Sequence, residues 1–156
     1  MREERKPADF IKAKNAVFHL LKIRLRSEKE LRDKLEFKKF ASKTIDETIQ
    51  YFKHLELIDD RIFTQSWIRS RLKKPFGLNR IQQELKIKGI RESVIKDEIK
   101  KAKKDFNESE TIQELTHRRI QKYKGLEPEK VKQRVYGYLM RRGFSSHEIY
   151  KVVAQL

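Results

Sequence analysis

Three times along the chain, five apolar residues recur at separations of 4, 5, 5 and 4. They are Leu31–Leu35–Phe40–Ile45–Ile49, Ile81–Leu85–Ile90–Ile95–Ile99 and Val135–Leu139–Phe144–Ile149–Val153. The copies begin at residues 31, 81 and 135, so successive copies are offset by 50 and 54. A step of four keeps two side chains on one face of an α-helix; a step of five leaves that face and spans a turn. Each copy therefore predicts a short helix, a turn and a second helix. A unit of this length that recurs in tandem buries its apolar face against its neighbours.

Each copy is preceded by a further amphipathic stretch, which makes the unit three helices long. Phe10, Val17, Leu20 and Leu21 define the first such stretch, running from a cap at Asp9 to about Leu25. Phe63, Trp67, Ile68 and Leu72 define the second, behind a cap at Asp59. Ile112, Leu115, Ile120 and Tyr123 define the third, behind Asn107 or Ser109. Ser27 to Glu30 reads as a capping box, Ser42 as a cap, and Ser145 to Glu148 as a second box. Lys73-Lys74-Pro75-Phe76-Gly77 breaks a helix, and Gly89 and Gly143 suit left-handed positions just past helix ends. The expected fold is all-α: three tandem three-helix repeats. A flexible N-terminus (1–8) precedes repeats at 9–57, 58–106 and 107–156.

Composition fits thin-cored helical units, with 37% hydrophobic and 40% charged residues. The formal net charge is +16, which draws polyanions such as nucleic acid or a nucleoprotein assembly. There is no cysteine, which fits a reducing compartment. The stretch MREERKPADF lacks a signal-peptide apolar core, and no apolar run approaches the roughly 18–20 residues of a membrane span. A soluble, cytoplasmic protein with no membrane association is expected.

Catalytic chemistry finds little support. His19, His54, His117 and His147 have no further His or Cys at metal-ligand spacing. The carboxylates mostly alternate with lysine and arginine on helix surfaces. Glu98 and Lys100 point to different sides of a helix and form no nuclease-like pair. The five glycines are dispersed at turns, without a phosphate loop. No catalytic, cofactor or metal residues are assigned, and no enzyme activity is expected.

The basic clusters carry more information. Lys22, Arg24 and Arg26 close the first helix of repeat 1. Arg69, Arg71, Lys73 and Lys74 close that of repeat 2, and Arg118, Arg119, Lys122 and Lys124 that of repeat 3. One or two cations suffice to offset a helix dipole, so three clusters at equivalent places predict a basic stripe. Arg80, Arg141 and Arg142 widen it. Trp67 reads as core, because Phe63 lies one turn before it; Phe76, in a basic turn, is the better contact aromatic. Of Tyr136 and Tyr138, one is expected to be exposed.

These residues resemble the RecX family of regulatory proteins. The resemblance rests on Leu57-Ile58-Asp59-Asp60-Arg61-Ile62-Phe63, Ile68-Arg69-Ser70-Arg71-Leu72, and Gly77 to Gly89 with Ile81-Gln82-Gln83-Glu84-Leu85. Ser27-Glu28-Lys29-Glu30-Leu31 and Leu139-Met140-Arg141-Arg142-Gly143-Phe144 agree with it, and it extends from about Ala13 onward. It implies that the three repeats form an elongated, curved array. It also implies binding to the RecA recombinase filament and inhibition or modulation of its ATPase and strand-exchange activities in recombinational repair and the SOS response, with no cofactor. It also implies a place for Arg69, Arg71 and Arg80 on the contact surface. Lys39 departs from the pattern, since the other repeats have Gly89 and Gly143 there.

The expected function is thus a non-enzymatic, monomeric regulator of the RecA filament. The alternative is a module that binds single- or double-stranded DNA, or RNA, directly. Reversing charge at Arg69 and Arg71 together is expected to weaken filament binding while leaving helicity and melting intact.

Overall fold

The computed structural model describes residues 5–156, with side chains from residue 8 onward. Among them are nine α-helices and no strand. Unit 1 comprises α1 (Arg5–Ile23), α2 (Glu28–Phe37) and α3 (Ser42–His54). Unit 2 comprises α4 (Asp60–Leu72), α5 (Leu78–Ile87) and α6 (Glu92–Asp105). Unit 3 comprises α7 (Glu108–Ile120), extended by a 3₁₀ turn at Gln121–Tyr123, then α8 (Pro128–Arg141) and α9 (Ser146–Val153). Within each unit the first and third helices pack together and the second closes against them.

The recurring apolar spacing has a physical origin at every step. In unit 1 the Lys39 N–H donates to Glu36 O at 2.8 Å and the Phe40 N–H to Leu35 O at 3.2 Å. This bond pair is a Schellman motif, whose hydrophobic contact joins the third-last helical residue to the second residue past the cap, here Leu35 and Phe40. Phe40 also precedes the N-cap of α3, Ala41, and Ile45 is the fourth residue of that helix. Phe40 and Ile45 hence occupy the hydrophobic-staple positions. The same bonds recur at Gly89 and Ile90, which donate to Lys86 O (3.0 Å) and Leu85 O (3.1 Å). They recur again at Gly143 and Phe144, which donate to Met140 O (2.9 Å) and Leu139 O (3.4 Å). The two steps of five are a Schellman pair and a staple, flanked by two helical steps of four.

The turn residue at these three places has φ of 63° at Lys39, 76° at Gly89 and 83° at Gly143. Lys39 thus adopts the left-handed conformation itself, at a cost of roughly 1–2 kcal/mol for a residue with a β carbon. The α3 helix ends on a further Schellman turn, with Glu56 at φ 56°.

Several caps differ from the sequence reading. Asp9 lies within α1, which starts at Arg5 and ends at Ile23; residues 1–4, part of the expected flexible terminus, lie outside the described residues. Ala41, not Ser42, is the N-cap of α3 and makes no side-chain cap bond. Asp59 and Asn107 cap α4 and α7 as read. The box at Ser27 is complete: its hydroxyl accepts from the Glu30 N–H, and Glu30 accepts from the Ser27 N–H at 3.1 Å. At Ser145 only the first half forms. The Ser145 N–H goes instead to Glu108 Oε1 at 3.2 Å, because Glu148 is drawn to Lys151 at 2.7 Å.

Each unit has its own core. That of unit 1 includes Val17, Leu31, Leu35, Ile49 and Phe52; that of unit 2, Phe63, Ile81, Leu85 and Ile99; that of unit 3, Ile112, Val135, Leu139 and Phe144. Phe106 packs against the cores of units 2 and 3.

The units meet by one repeated device. The N-terminal end of α2 rests on the C-terminal turn of α5, where Ser27 Oγ donates to Lys88 O at 2.8 Å. The N-terminal end of α5 rests likewise on the C-terminal turn of α8: Gly77 N–H donates to Arg142 O at 2.9 Å, and Asn79 N–H to Gly143 O at 3.1 Å. At the second seam, N–H donors left over at a helix start satisfy carbonyls left over at another helix end, and at the first the cap hydroxyl of Ser27 does so; in both, the opposed partial charges attract. The approach is tight. A Cβ on Gly89 would lie 2.6 Å from Lys29 Cβ, and one on Gly143 would overlap the Arg80 backbone. Docking requires glycine at those two turns, and glycine there also avoids the cost of the left-handed φ. At the equivalent Lys39 no unit docks among the described residues and the side chain is exposed, so only the φ cost applies.

Candidate binding surface

The two seams bring cations and aromatic rings into one row. Lys88 Nζ lies 2.6 Å from Glu30 Oε1 and 4.2 Å from the Trp67 ring centre. Arg71 lies 4.9 Å from Trp67 and 5.3 Å from Phe76. Arg80 and Arg142 reach the same Phe76 ring at 4.1 and 5.6 Å. Arg142 continues to Tyr138 at 5.0 Å, and Arg119 spans Tyr138 at 4.2 Å and Tyr123 at 5.7 Å. Arg134 closes the row at 5.6 Å from Tyr123. A cation over a ring contributes about 0.5–1 kcal/mol when exposed and about 2 when desolvated.

Local structure explains the hub at Phe76. Pro75 and Gly77 end one helix and start the next, so Phe76 projects from the turn between α4 and α5. Arg71 comes from the last turn of α4, Arg80 from the first turn of α5, and Arg142 from the end of α8 in the next unit. Arg142 is pinned there by its own bond to Pro75 O at 3.1 Å.

Glu84 organises the cations. It accepts from Arg71 Nε at 2.6 Å and Nη2 at 2.7 Å, from Arg80 Nε at 3.2 Å and from Trp67 Nε1 at 3.0 Å. Burial pushes its carboxyl up, but the hydrogen bonds from Arg71, Arg80 and Trp67 outweigh this and hold it below the usual carboxylate range. Glu30 plays the same part at the first seam. Burial opposes its ionisation, yet Arg24, Lys88 and the Ser27 N–H bring it to about 2. On the other side of unit 2 the buried Glu98, 4% exposed, is held by Arg61 at 2.7 Å and Lys101 at 2.9 Å. Lys100 faces outward, as the helical spacing requires.

The basic residues singled out in the sequence fall into two groups. Arg71, Arg80, Arg119 and Arg142 belong to the row and are engaged there. Arg24 bonds Glu30 at 2.9 Å and the Leu25 carbonyl at 2.8 Å. Arg26 turns inward, its Nε buried without a partner among the described residues. By contrast Lys22, Arg69, Lys73, Lys74, Arg118, Lys122 and Arg141 are exposed, with no carboxylate at ion-pair distance among the described residues. Trp67 is half-buried and part of the row rather than core alone, and Tyr136 is the exposed tyrosine of its pair. Sequence reasoning missed Lys88, Arg134 and Glu84. The signal that could have found Glu84 was Arg80 four residues before it, at ion-pair spacing on a helix.

Among the described residues no three His, Asp or Glu gather as metal ligands, and no helix there is long and apolar enough to cross a membrane. The fold and this surface define a tandem three-helix repeat protein with a cation-rich face running over its last two units. Its relatives carry the same triplication. The family descriptions "RecX, first three-helix domain", "second" and "third" match residues 13–52, 59–98 and 107–153. The chain belongs to the RecX family.

Two proteins named "Regulatory protein RecX" match over nearly their full length. That of Chlorobium phaeobacteroides is 37% identical over 146 residues, covering 93% of each chain. That of Haemophilus influenzae strain PittEE is 31% identical over 142 residues, covering 90% of this chain and 92% of its own. In fold, the chain is similar to the crystal structure of RecX from Lactobacillus salivarius, with a TM-score of 0.84, 24% identity, and coverage of 96% and 97%.

Proposed function

We propose that this protein is a non-enzymatic regulator of recombinational DNA repair, acting in the cytoplasm as a monomer. It binds along the RecA–DNA filament and restrains its ATP hydrolysis and strand exchange. Family membership supports the regulatory role. The observation that carries the surface assignment is the set of exposed cations beside the Phe76 hub that have no ion pair among the described residues. Lys73 and Lys74 lie in the same turn as Phe76, and Arg69 and Arg141 lie near the helix ends that supply its guanidiniums. Such a surface is drawn to acidic protein faces and phosphates and loses affinity as salt rises.

The alternative, direct binding of single- or double-stranded DNA or of RNA, draws on the alternation of cations and rings. Single-strand binding uses open aromatic faces as stacking platforms. Here Phe76, Trp67 and Tyr138 already have guanidinium or ammonium groups over them, which favours a role in holding the cations over one in stacking bases.

The test adds stoichiometric protein to filaments of its cognate RecA on single-stranded DNA. The expected result is slower ATP hydrolysis and strand exchange. Unchanged rates of both, with the protein folded, overturn the reading. Affinity for naked DNA equal to that for the filament favours the alternative.

A further inference from the structure

Two large apolar side chains stand out from the surface, Phe37 at 85% and Ile87 at 75% exposure. They are the most exposed large hydrophobic residues among those described. They are also equivalent: each is the last helical residue before the Schellman turn, six positions after the start of its five-residue apolar pattern. Neither joins a core. The turns that follow them hold Lys38 and Lys39 in unit 1 and Lys88, which is engaged with Glu30, in unit 2, and Lys34 and Lys86 precede them. The acidic neighbours are Glu36 beside Phe37, Asp33 one turn before it, which is paired with Lys29, and Glu84, which is occupied by Arg71 and Arg80. In unit 3 the same position is Arg141.

Resting on the proposed function, we propose that Phe37 and Ile87 are paired anchors that seat in the same apolar, acid-rimmed pocket on two successive protomers of the RecA filament. A large apolar side chain left four-fifths in water gains from burial on a partner, and anchors of this kind dominate interface energetics. The basic setting and the chain's formal charge of +16 match an acidic rim. The repetition selects the occupant. Equivalent anchors one repeat apart fit a partner that presents one pocket repeatedly, as a polymer of identical subunits does. A lone globular partner has no reason to match both.

The test titrates labelled protein against preassembled cognate RecA filaments on single-stranded DNA. It compares wild type, Phe37→Ser, Ile87→Ser, the double variant, and Tyr150→Ser as a control at another exposed side chain. Circular dichroism and urea melts of every variant are expected to match wild type, because neither anchor touches a core. Each anchor substitution is expected to weaken binding about tenfold and the pair about a hundredfold, with the control within about twofold. Wild-type affinity in both single variants overturns the inference while leaving the proposed function intact. A single variant as weak as the double overturns the two-pocket assignment. Failure of wild type itself to bind overturns the proposed function, and the inference with it.

Discussion

Gly143 sits against Arg80 so closely that a β carbon on the glycine would overlap the arginine's amide nitrogen and Cβ. This contact is where unit 3 meets unit 2, and its counterpart, Gly89 against Lys29, is where unit 2 meets unit 1. Helix-end chemistry and inter-unit docking are thus carried by the same residue. Glycine is set by the preceding unit's approach at two turns, while the third, at Lys39, makes do with a strained lysine.

Opposite outcomes are therefore expected at equivalent positions. Gly143→Ala combines a left-handed alanine with overlap against backbone, and should lower stability by about 2–4 kcal/mol. Lys39→Gly removes the left-handed strain where no unit docks among the described residues, and should leave stability unchanged or raise it by up to about 1 kcal/mol. Urea melts of the two variants check this. A loss at Lys39→Gly as large as that at Gly143→Ala would contradict the docking explanation.

The first seam should be sensitive to acid. Glu30, about 4.5 when unperturbed, is held at about 2 in the fold, so its contribution is fully present above pH 4.5 and is lost as pH falls toward 2. Glu30→Gln should lower stability at pH 7 by about 1–3 kcal/mol and flatten the acid limb of the stability profile. Melts from pH 2 to 7 measure both. An acid limb unchanged in the variant would remove Glu30 from the account.

Arg71 should behave as a structural cation. Its removal leaves Glu84 half-buried with weaker partners. Arg71→Ala is expected to cost about 1–3 kcal/mol, and Lys73→Glu with Lys74→Glu about 0.5 or less. Thermal melts compare them. Reversal of Arg69 and Arg71 together is consequently a poor probe of binding, contrary to the sequence expectation that melting would stay intact, because it sets a new carboxylate against Glu84.

Much of the fold was legible because the signals were local. Ser27, Asp59 and Asn107 announce helix starts, and the 4-5-5-4 pattern encodes a Schellman turn and a staple whose geometry depends on a dozen consecutive residues. Two misreadings were local, Asp9 lying inside α1 and Ala41 capping in place of Ser42, while the third was tertiary, since Glu108 supplies from another helix the bond that Glu148 was expected to make. The site was less legible because it is assembled across units. The basic clusters were visible, but nothing in the order of residues told that Arg142 would cross a seam to Phe76. Nor did it tell that Glu84 would gather Arg71, Arg80 and Trp67, or that Arg26 would turn inward. Phe37 and Ile87 were visible as apolar residues, and their exposure emerges only once the cores are placed.

The most direct test of the central claim measures affinity for the cognate RecA filament as a function of salt, for wild type and for a variant carrying Arg69→Glu, Lys73→Glu and Lys74→Glu. All three side chains are exposed and without ion pairs among the described residues, so helicity and melting should be retained. The account predicts binding weakened at least about tenfold at low salt, with a shallower salt dependence than wild type. Wild-type affinity and wild-type salt dependence in the folded variant would contradict it.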